Sequence, residues 1–255
     1  MPIRDSSKPL IGGEKIERYA DDQRNWARLI PVIKRDAYRV ENISELTIPG
    51  DAPKCFLQVK EHQPGRPTAS PRHWPWFIAK VGSKWYPIES ITEQLITRLG
   101  QCLGFAVADS QLRVVGGQVR FLSRYFLGDN QALTHGIELF RDDFGTDVVD
   151  QIAAGKNERN FYFFPKVINS ISRAFPDAAA EISADFVKML LFDAIVGNND
   201  RHPANWGVVT STYTKAPPKF SPIFDTARGL FWNSRESQIE KCLAAPQVFD
   251  AYIDD

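Results

Sequence analysis

The chain is poor in the features that would make it extracellular, membrane-bound or nucleic-acid-binding. Its three cysteines, Cys55, Cys102 and Cys242, are odd in number and far apart, which argues against a disulfide framework and for reduced thiols. No window approaches the roughly 20 apolar residues needed to span a bilayer, so membrane insertion is not expected. The start, Met1-Pro2-Ile3-Arg4-Asp5, lacks the apolar core of a signal peptide, and the expected location is the cytoplasm. Thirty-one basic residues balance thirty-one acidic ones, so no bulk field draws the chain to nucleic acid or anionic lipid. There is no internal repeat, no coiled coil and no helix-turn-helix signal, hence no direct DNA binding. A glycine-rich phosphate loop is also missing. What is present is 43% hydrophobic and 12% aromatic content over 255 residues, enough for one large domain or two small lobes.

Residues 1 to 55 show one clear pattern, a helical spacing of Trp26, Leu29, Ile30 and Ile33. The stretch from Lys60 to His73, rich in Pro, Gly and polar residues, predicts a loop. Trp76-Phe77-Ile78-Ala79-Lys80 reads as a buried strand ending on a lysine. The next helix is expected to start at Ser90, with Glu93 completing a capping box, to bury Leu95, Ile96, Leu99 and Leu103, and to stop at Gly104. Glu89 is a competing acid that would lie before that cap. Gly116-Gly117 separates two apolar runs, a hairpin signal, and 123–128 would cross to a second lobe. Beyond residue 130 the pattern is mainly helical. Val167 to Phe175 is one helix, and Ala184 to Val196, with Phe186, Met189, Leu190 and Ile195, is a second one closed by Gly197. Short strands come next at Trp206–Val209 and Phe220–Phe224.

The densest chemistry is Asn198-Asn199-Asp200-Arg201-His202-Pro203-Ala204-Asn205, followed by Ser221-Pro222-Ile223-Phe224-Asp225. Phosphoryl transfer needs an acid to orient the attacking hydroxyl and oxygen ligands for magnesium. An Asp, an Asn five residues later and a further Asp beyond a hairpin supply that set. An Asx-turn cluster is the plain structural alternative for the first segment alone; Asp225 tips the balance toward chemistry.

The order of Lys80, Glu93, hairpin, crossover, apolar helix, the Gly197–Asn205 stretch and Pro222–Asp225 resembles the HipA-like serine/threonine kinases, toxin-type bacterial kinases, over roughly residues 76 to 232. Asp200-Arg201-His202 with Asn205 is also similar to the catalytic loop of phosphatidylinositol kinases. The resemblance implies a two-lobed α+β kinase fold, with residues 1–127 forming an antiparallel-sheet lobe and 128–255 a mainly helical one. It implies that Asp200 orients the substrate hydroxyl and that Asn205 and Asp225 hold Mg2+ on ATP. Lys80 would meet the α- and β-phosphates and Glu93 would hold its amine. His202 would brace Asp200 or stabilise the transferring group, and Arg201 would contact a carboxylate or a phosphate. Phe126 and Leu127 would wall the adenine pocket, although a plain core role is open to both. Gly65, Ser70 and Arg72 would cover the phosphates only if their loop folds over them, and phosphorylation of Thr68 or Ser70 would move that loop. The expected activity is phosphorylation of a serine or threonine hydroxyl on a cytoplasmic protein, with an antitoxin as a further partner. A lipid or small-molecule kinase and a nucleotide-binding pseudokinase are the alternatives.

Overall fold

A computed structural model describes residues 30–41, 54–61, 70–82, 88–147, 164–234, 236–245 and 247. Trp26, Leu29, Gly65 and Thr68 lie outside the described residues.

Five strands form the first sheet: β1 (Tyr38–Glu41), β2 (Lys54–Val59), β3 (Trp76–Lys80), β4 (Ser110–Val115) and β5 (Gln118–Arg124). The order is β1-β2-β3-β5-β4, and each neighbouring pair is antiparallel. β3 spans the residues expected from sequence. Gly116 and Gly117 both have positive φ, +60° and +79°, the conformation that a two-residue hairpin turn demands and that glycine adopts without penalty. Leu57, Phe77, Ala79 and Leu122 pack on one face as a small core with Tyr38, Val59 and Val115. The expected helix does not continue through Ile33. Val32 bridges Val114 in parallel, and Ile33 N–H donates to the Val114 carbonyl at 3.0 Å, so this end is extended along β4.

Helix α1 (Glu89–Cys102) comes after β3, and Gly104 at φ +79° closes it. Ile96 faces inward, but Leu95 and Leu103 are exposed. The buried face is instead Ser90, Thr92, Glu93, Ile96, Thr97 and Gly100, a largely polar stripe. Apolar spacing alone misassigns it because the helix buries chemistry rather than leucines.

After the crossover come β6 (Gln131–His135), α2 (Gly136–Phe144), α3 (Phe164–Ala174), α4 (Ala179–Val196), β7 (Gly207–Ser211), β8 (Lys219–Phe220) and α5 (Glu236–Ala244). β6, β7 and β8 make a three-stranded sheet in that order. α4 buries Ile182, Phe186, Met189, Phe192 and Val196 at helical spacing, whereas Val187, Leu191 and Ile195 form an exposed stripe. Its core partners are Trp206, Phe140, Val167, Ile171 and, from the first lobe, Ile96. Among the described residues no helix is long and apolar enough to cross a membrane.

Candidate active site

Lys80 ends β3 at the lobe boundary. Its Nζ donates to Glu93 Oε1 at 2.7 Å and to Asp225 Oδ1 at 2.9 Å. Glu93 is available because the expected capping box does not form: α1 starts at Glu89, Ile88 is the cap residue without a side-chain bond, and Ser90 lies inside the helix. Glu93 therefore falls on the second turn, on the buried face, with its side chain 3% exposed. Burial would pull the Lys80 ammonium down, but the carboxylates of Asp225 and Glu93 outweigh it and hold its pKa well above the lysine value. Glu93 is raised, since burial exceeds the opposing pull of Lys80. Burial would likewise raise Asp225, yet Lys80 and Lys54 overcome it and hold this carboxyl well below the usual range.

The loop after α4 begins at Gly197, in the left-handed region at φ +62°. Arg201 fixes the remainder of this loop. Its Nε and Nη2 donate to Asp193 Oδ2 and Oδ1 at 2.7 and 2.8 Å, and its Nη1 donates to the carbonyls of Asn205 and Phe224 at 2.7 and 2.8 Å. One nitrogen thus ties the backbone of Asn205 to that of the residue preceding Asp225. The segment Pro203–Asn205 is a 3-10 turn in which Ala204 N–H donates to His202 Nδ1 at 3.1 Å. His202 is a brace in this arrangement. Asn205 Nδ2 donates to the Asp200 carbonyl at 3.0 Å, which leaves the amide oxygen as the atom to meet a cation.

Asp200 is 42% exposed, and Arg228 Nη1 lies 3.4 Å from its Oδ1. Burial raises its pKa and the Asp225 charge adds to this; Arg228 opposes the rise without cancelling it.

Asp225 is held from both sides. Ile223 N–H donates to the Ala106 carbonyl at 2.7 Å and the Ile223 carbonyl accepts from Ala108 at 2.9 Å, a parallel bridge to the chain leaving α1. Downstream, Leu230 N–H donates to the Val196 carbonyl at 2.8 Å. Between these anchors Asp225 takes φ +56°, a conformation that costs a non-glycine residue energy and is found where surroundings enforce it. A pocket beside it is lined by Glu93, Thr97, Val107, Phe121, Ser123, Phe224 and Thr226 among others.

The donor set fits a hard divalent cation shared with phosphate. One carboxylate (Asp225) and one amide oxygen (Asn205) come from backbones joined through Arg201. Magnesium is commonly held by one or two carboxylates plus phosphate oxygens and waters. Among the described residues no group of three or more His, Cys, Asp or Glu is placed to hold a metal ion.

Phe126 and Leu127 lie in the crossover after β5, both partly buried. The Phe126 ring is 5.9 Å from that of Phe224, next to Asp225. The segment that would cover the phosphates only by folding over them starts from the far end of the sheet. In the β2–β3 register Lys54 faces Lys80 while Gln58 faces Trp76, so Lys60, Glu61 and Ser70 to His73 leave the sheet at the end away from Lys80.

Sequence reasoning overlooks Lys54, Asp193 and Arg228. Lys54 Nζ is 3.5 Å from Asp225 Oδ2, and only its place at the head of a short apolar run marks it. Asp193 does carry a signal: a carboxylate among Met189, Phe192 and Val196 on a buried helix face demands a cationic partner.

None of the curated proteins matches the chain. Among solved structures, the Helicobacter pylori proinflammatory kinase CtkA is similar in fold, with a TM-score of 0.65 over 87% of this chain and 69% of that one at 14% identity. The Shewanella oneidensis MR-1 HipA, solved with HipB and operator DNA, gives a TM-score of 0.45 at 16% identity; the match covers 76% of this chain and 51% of HipA. The likeness to CtkA shows a fold of the two-lobed kinase type. Residues 46–246 match the HipA-like C-terminal domain, and the chain belongs to that family.

Proposed function

We propose that this chain is a kinase that uses ATP and magnesium to phosphorylate a serine or threonine hydroxyl of a protein. The observation that carries the reading is Lys80 Nζ shared between Glu93 and Asp225, which joins strand, helix and downstream aspartate at one point in the manner phosphoryl transfer requires. ATP would supply the phosphoryl group, and the magnesium ion would offset the charge that develops on it.

The chain's own residues do the rest. Lys80 would bind the α- and β-phosphates, and Glu93 keeps its ammonium aimed and charged. Asn205 and Asp225 would hold the ion. Asp200 would orient the incoming hydroxyl and accept its proton. Its raised pKa makes it a better proton acceptor than an ordinary aspartate. His202 and Arg201 fix the loop, and Phe126 and Leu127 would offer backbone groups to the adenine edge. The serine or threonine preference and an antitoxin-type partner rest on the family alone.

Transfer of radiolabelled phosphate from ATP, including autophosphorylation, tests the reading in wild type, Asp200→Ala and Asp225→Ala. Transfer by wild type that drops about a hundredfold or more in both variants is expected. Equal activity in all three excludes the mechanism.

A further inference from the structure

Arg228 Nη1 stands 3.4 Å from Asp200 Oδ1, and its guanidinium carbon lies 5.3 Å from the centre of the Trp232 ring. An ion pair between side chains 37% and 42% exposed adds little to stability, so stability does not explain why an arginine is held there. The backbone that carries it is costly. Among the described residues the non-glycine positions with positive φ are Asp225, Leu230 and Phe231, at +56°, +53° and +55°, and all of them flank Arg228 within one short segment. A Cβ on the next residue, Gly229, would come within 2.9 Å of the Val196 carbonyl oxygen, so the segment is pressed against the end of α4. Strain of this kind collects where function demands a fixed geometry.

Neighbouring cations are committed elsewhere. Arg201 donates through Nε, Nη1 and Nη2 to Asp193 and two backbone carbonyls. Lys80 and Lys54 pair with Asp225, and His202 Nδ1 accepts from Ala204. Arg228, by contrast, lies on the carboxylate that would hold the attacking hydroxyl. In the transfer a bond forms between that hydroxyl oxygen and the γ-phosphorus, the bond from phosphorus to the β,γ-bridging oxygen breaks with its electron pair passing to ADP, and the hydroxyl proton goes to Asp200. Before reaction the phosphorus stands about 3–3.5 Å from the hydroxyl oxygen, within reach of a guanidinium already at that carboxylate. As the proton reaches Asp200 its negative charge is cancelled, and the guanidinium turns to the charge on the phosphoryl oxygens.

From this arrangement we infer that Arg228 is a catalytic residue of the transfer step, shifting from Asp200 to the oxygens of the phosphoryl group as it passes between ADP and the acceptor hydroxyl. Trp232 would keep the guanidinium in place from below. The inference rests on the kinase reading and adds to it a contact made in the transition state rather than with the bound nucleotide. An effect on the Asp200 pKa alone is different, because it vanishes once the pH is high enough to ionise Asp200 in every variant.

Calorimetric binding of ADP with magnesium, with and without aluminium fluoride as a stand-in for the phosphoryl group in flight, provides one test on wild type, Arg228→Met and Arg228→Lys. Wild type should bind ADP about tenfold or more tightly when fluoride is present. Arg228→Met should keep its affinity for ADP alone within about twofold yet lose that gain, and Arg228→Lys should retain part of it. The second test is autophosphorylation from radiolabelled ATP, followed to the high-pH plateau of each rate profile. There Arg228→Met should be slower by about a hundredfold or more, with KM for ATP little changed. No gain from fluoride in wild type, the same gain in wild type and Arg228→Met, or equal plateau rates overturns the role of Arg228 while leaving the kinase reading intact. Wild type that binds no ADP and takes no label removes both.

Discussion

Arg201 and Asp193 form a two-pronged ion pair, Nε to Oδ2 at 2.7 Å and Nη2 to Oδ1 at 2.8 Å, with both side chains almost fully buried. The pair ties the end of α4 to the loop that carries Asp200 and, through Nη1, to the backbone of Asn205 and Phe224. Asp193→Ala would leave a guanidinium without its counter-charge, and breaking a buried pair from one side costs about 3–5 kcal/mol. Thermal or urea unfolding should show a loss of that size, together with weaker nucleotide binding. A change below about 1 kcal/mol would mean that the loop is held by something else.

Lys80→Met isolates Glu93. In wild type, burial raises this carboxyl and Lys80 opposes the rise, so removing the lysine moves it further up. A carboxyl whose folded pKa exceeds its unfolded one favours the native state most below the unfolded pKa, and that contribution is lost as pH rises through the folded pKa. The melting-temperature gap between variant and wild type should therefore narrow as pH falls from 7 toward about 4. A gap constant across that range would contradict the coupling.

Arg228 tunes Asp200. Its positive charge lowers the Asp200 pKa against the larger effect of burial. In the proposed mechanism phosphate transfer needs ionised Asp200, so the acidic limb of the rate–pH profile should track this group. Arg228→Met should shift that limb to higher pH, with the fold unchanged by circular dichroism. An unmoved limb would show that another group governs it.

Gly229 lies where the chain leaving Asp225 passes α1 and the end of α4. A Cβ there would meet Ile96 Cδ1 at 2.8 Å and the Val196 carbonyl oxygen at 2.9 Å. A side-chain end can yield but the helix backbone yields little, so Gly229→Ala is expected to cost about 1–3 kcal/mol, as overpacking does. Chemical denaturation measures this. Wild-type stability in the variant would show that the segment has room to shift.

Much of this arrangement is legible in the sequence because it depends on local chemistry. β3, the Gly116-Gly117 hairpin, the stop at Gly197 and the grouping of Asp200, Asn205 and Asp225 come from short motifs with few alternatives. β1 and β2 are not legible: runs of four and six residues acquire strand identity from pairing with distant partners, and the Lys54–Lys80 pairing spans a loop of polar residues. The start of α1 misleads because a good capping sequence at Ser90 loses to a tertiary demand. Glu93 is needed by Lys80, and the helix begins one residue earlier with a polar buried face. Arg201 is ambiguous until Asp193 and two carbonyls claim all three of its nitrogens.

Ile96 belongs to α1, yet it packs in the core of the helical lobe, and the chain just beyond α1 is stitched to Ile223. A fragment starting after the crossover would expose the apolar hollow that Ile96 fills and strip Ile223 of both backbone bonds. The halves should therefore melt in a single transition, and a truncated helical half should precipitate when expressed by itself.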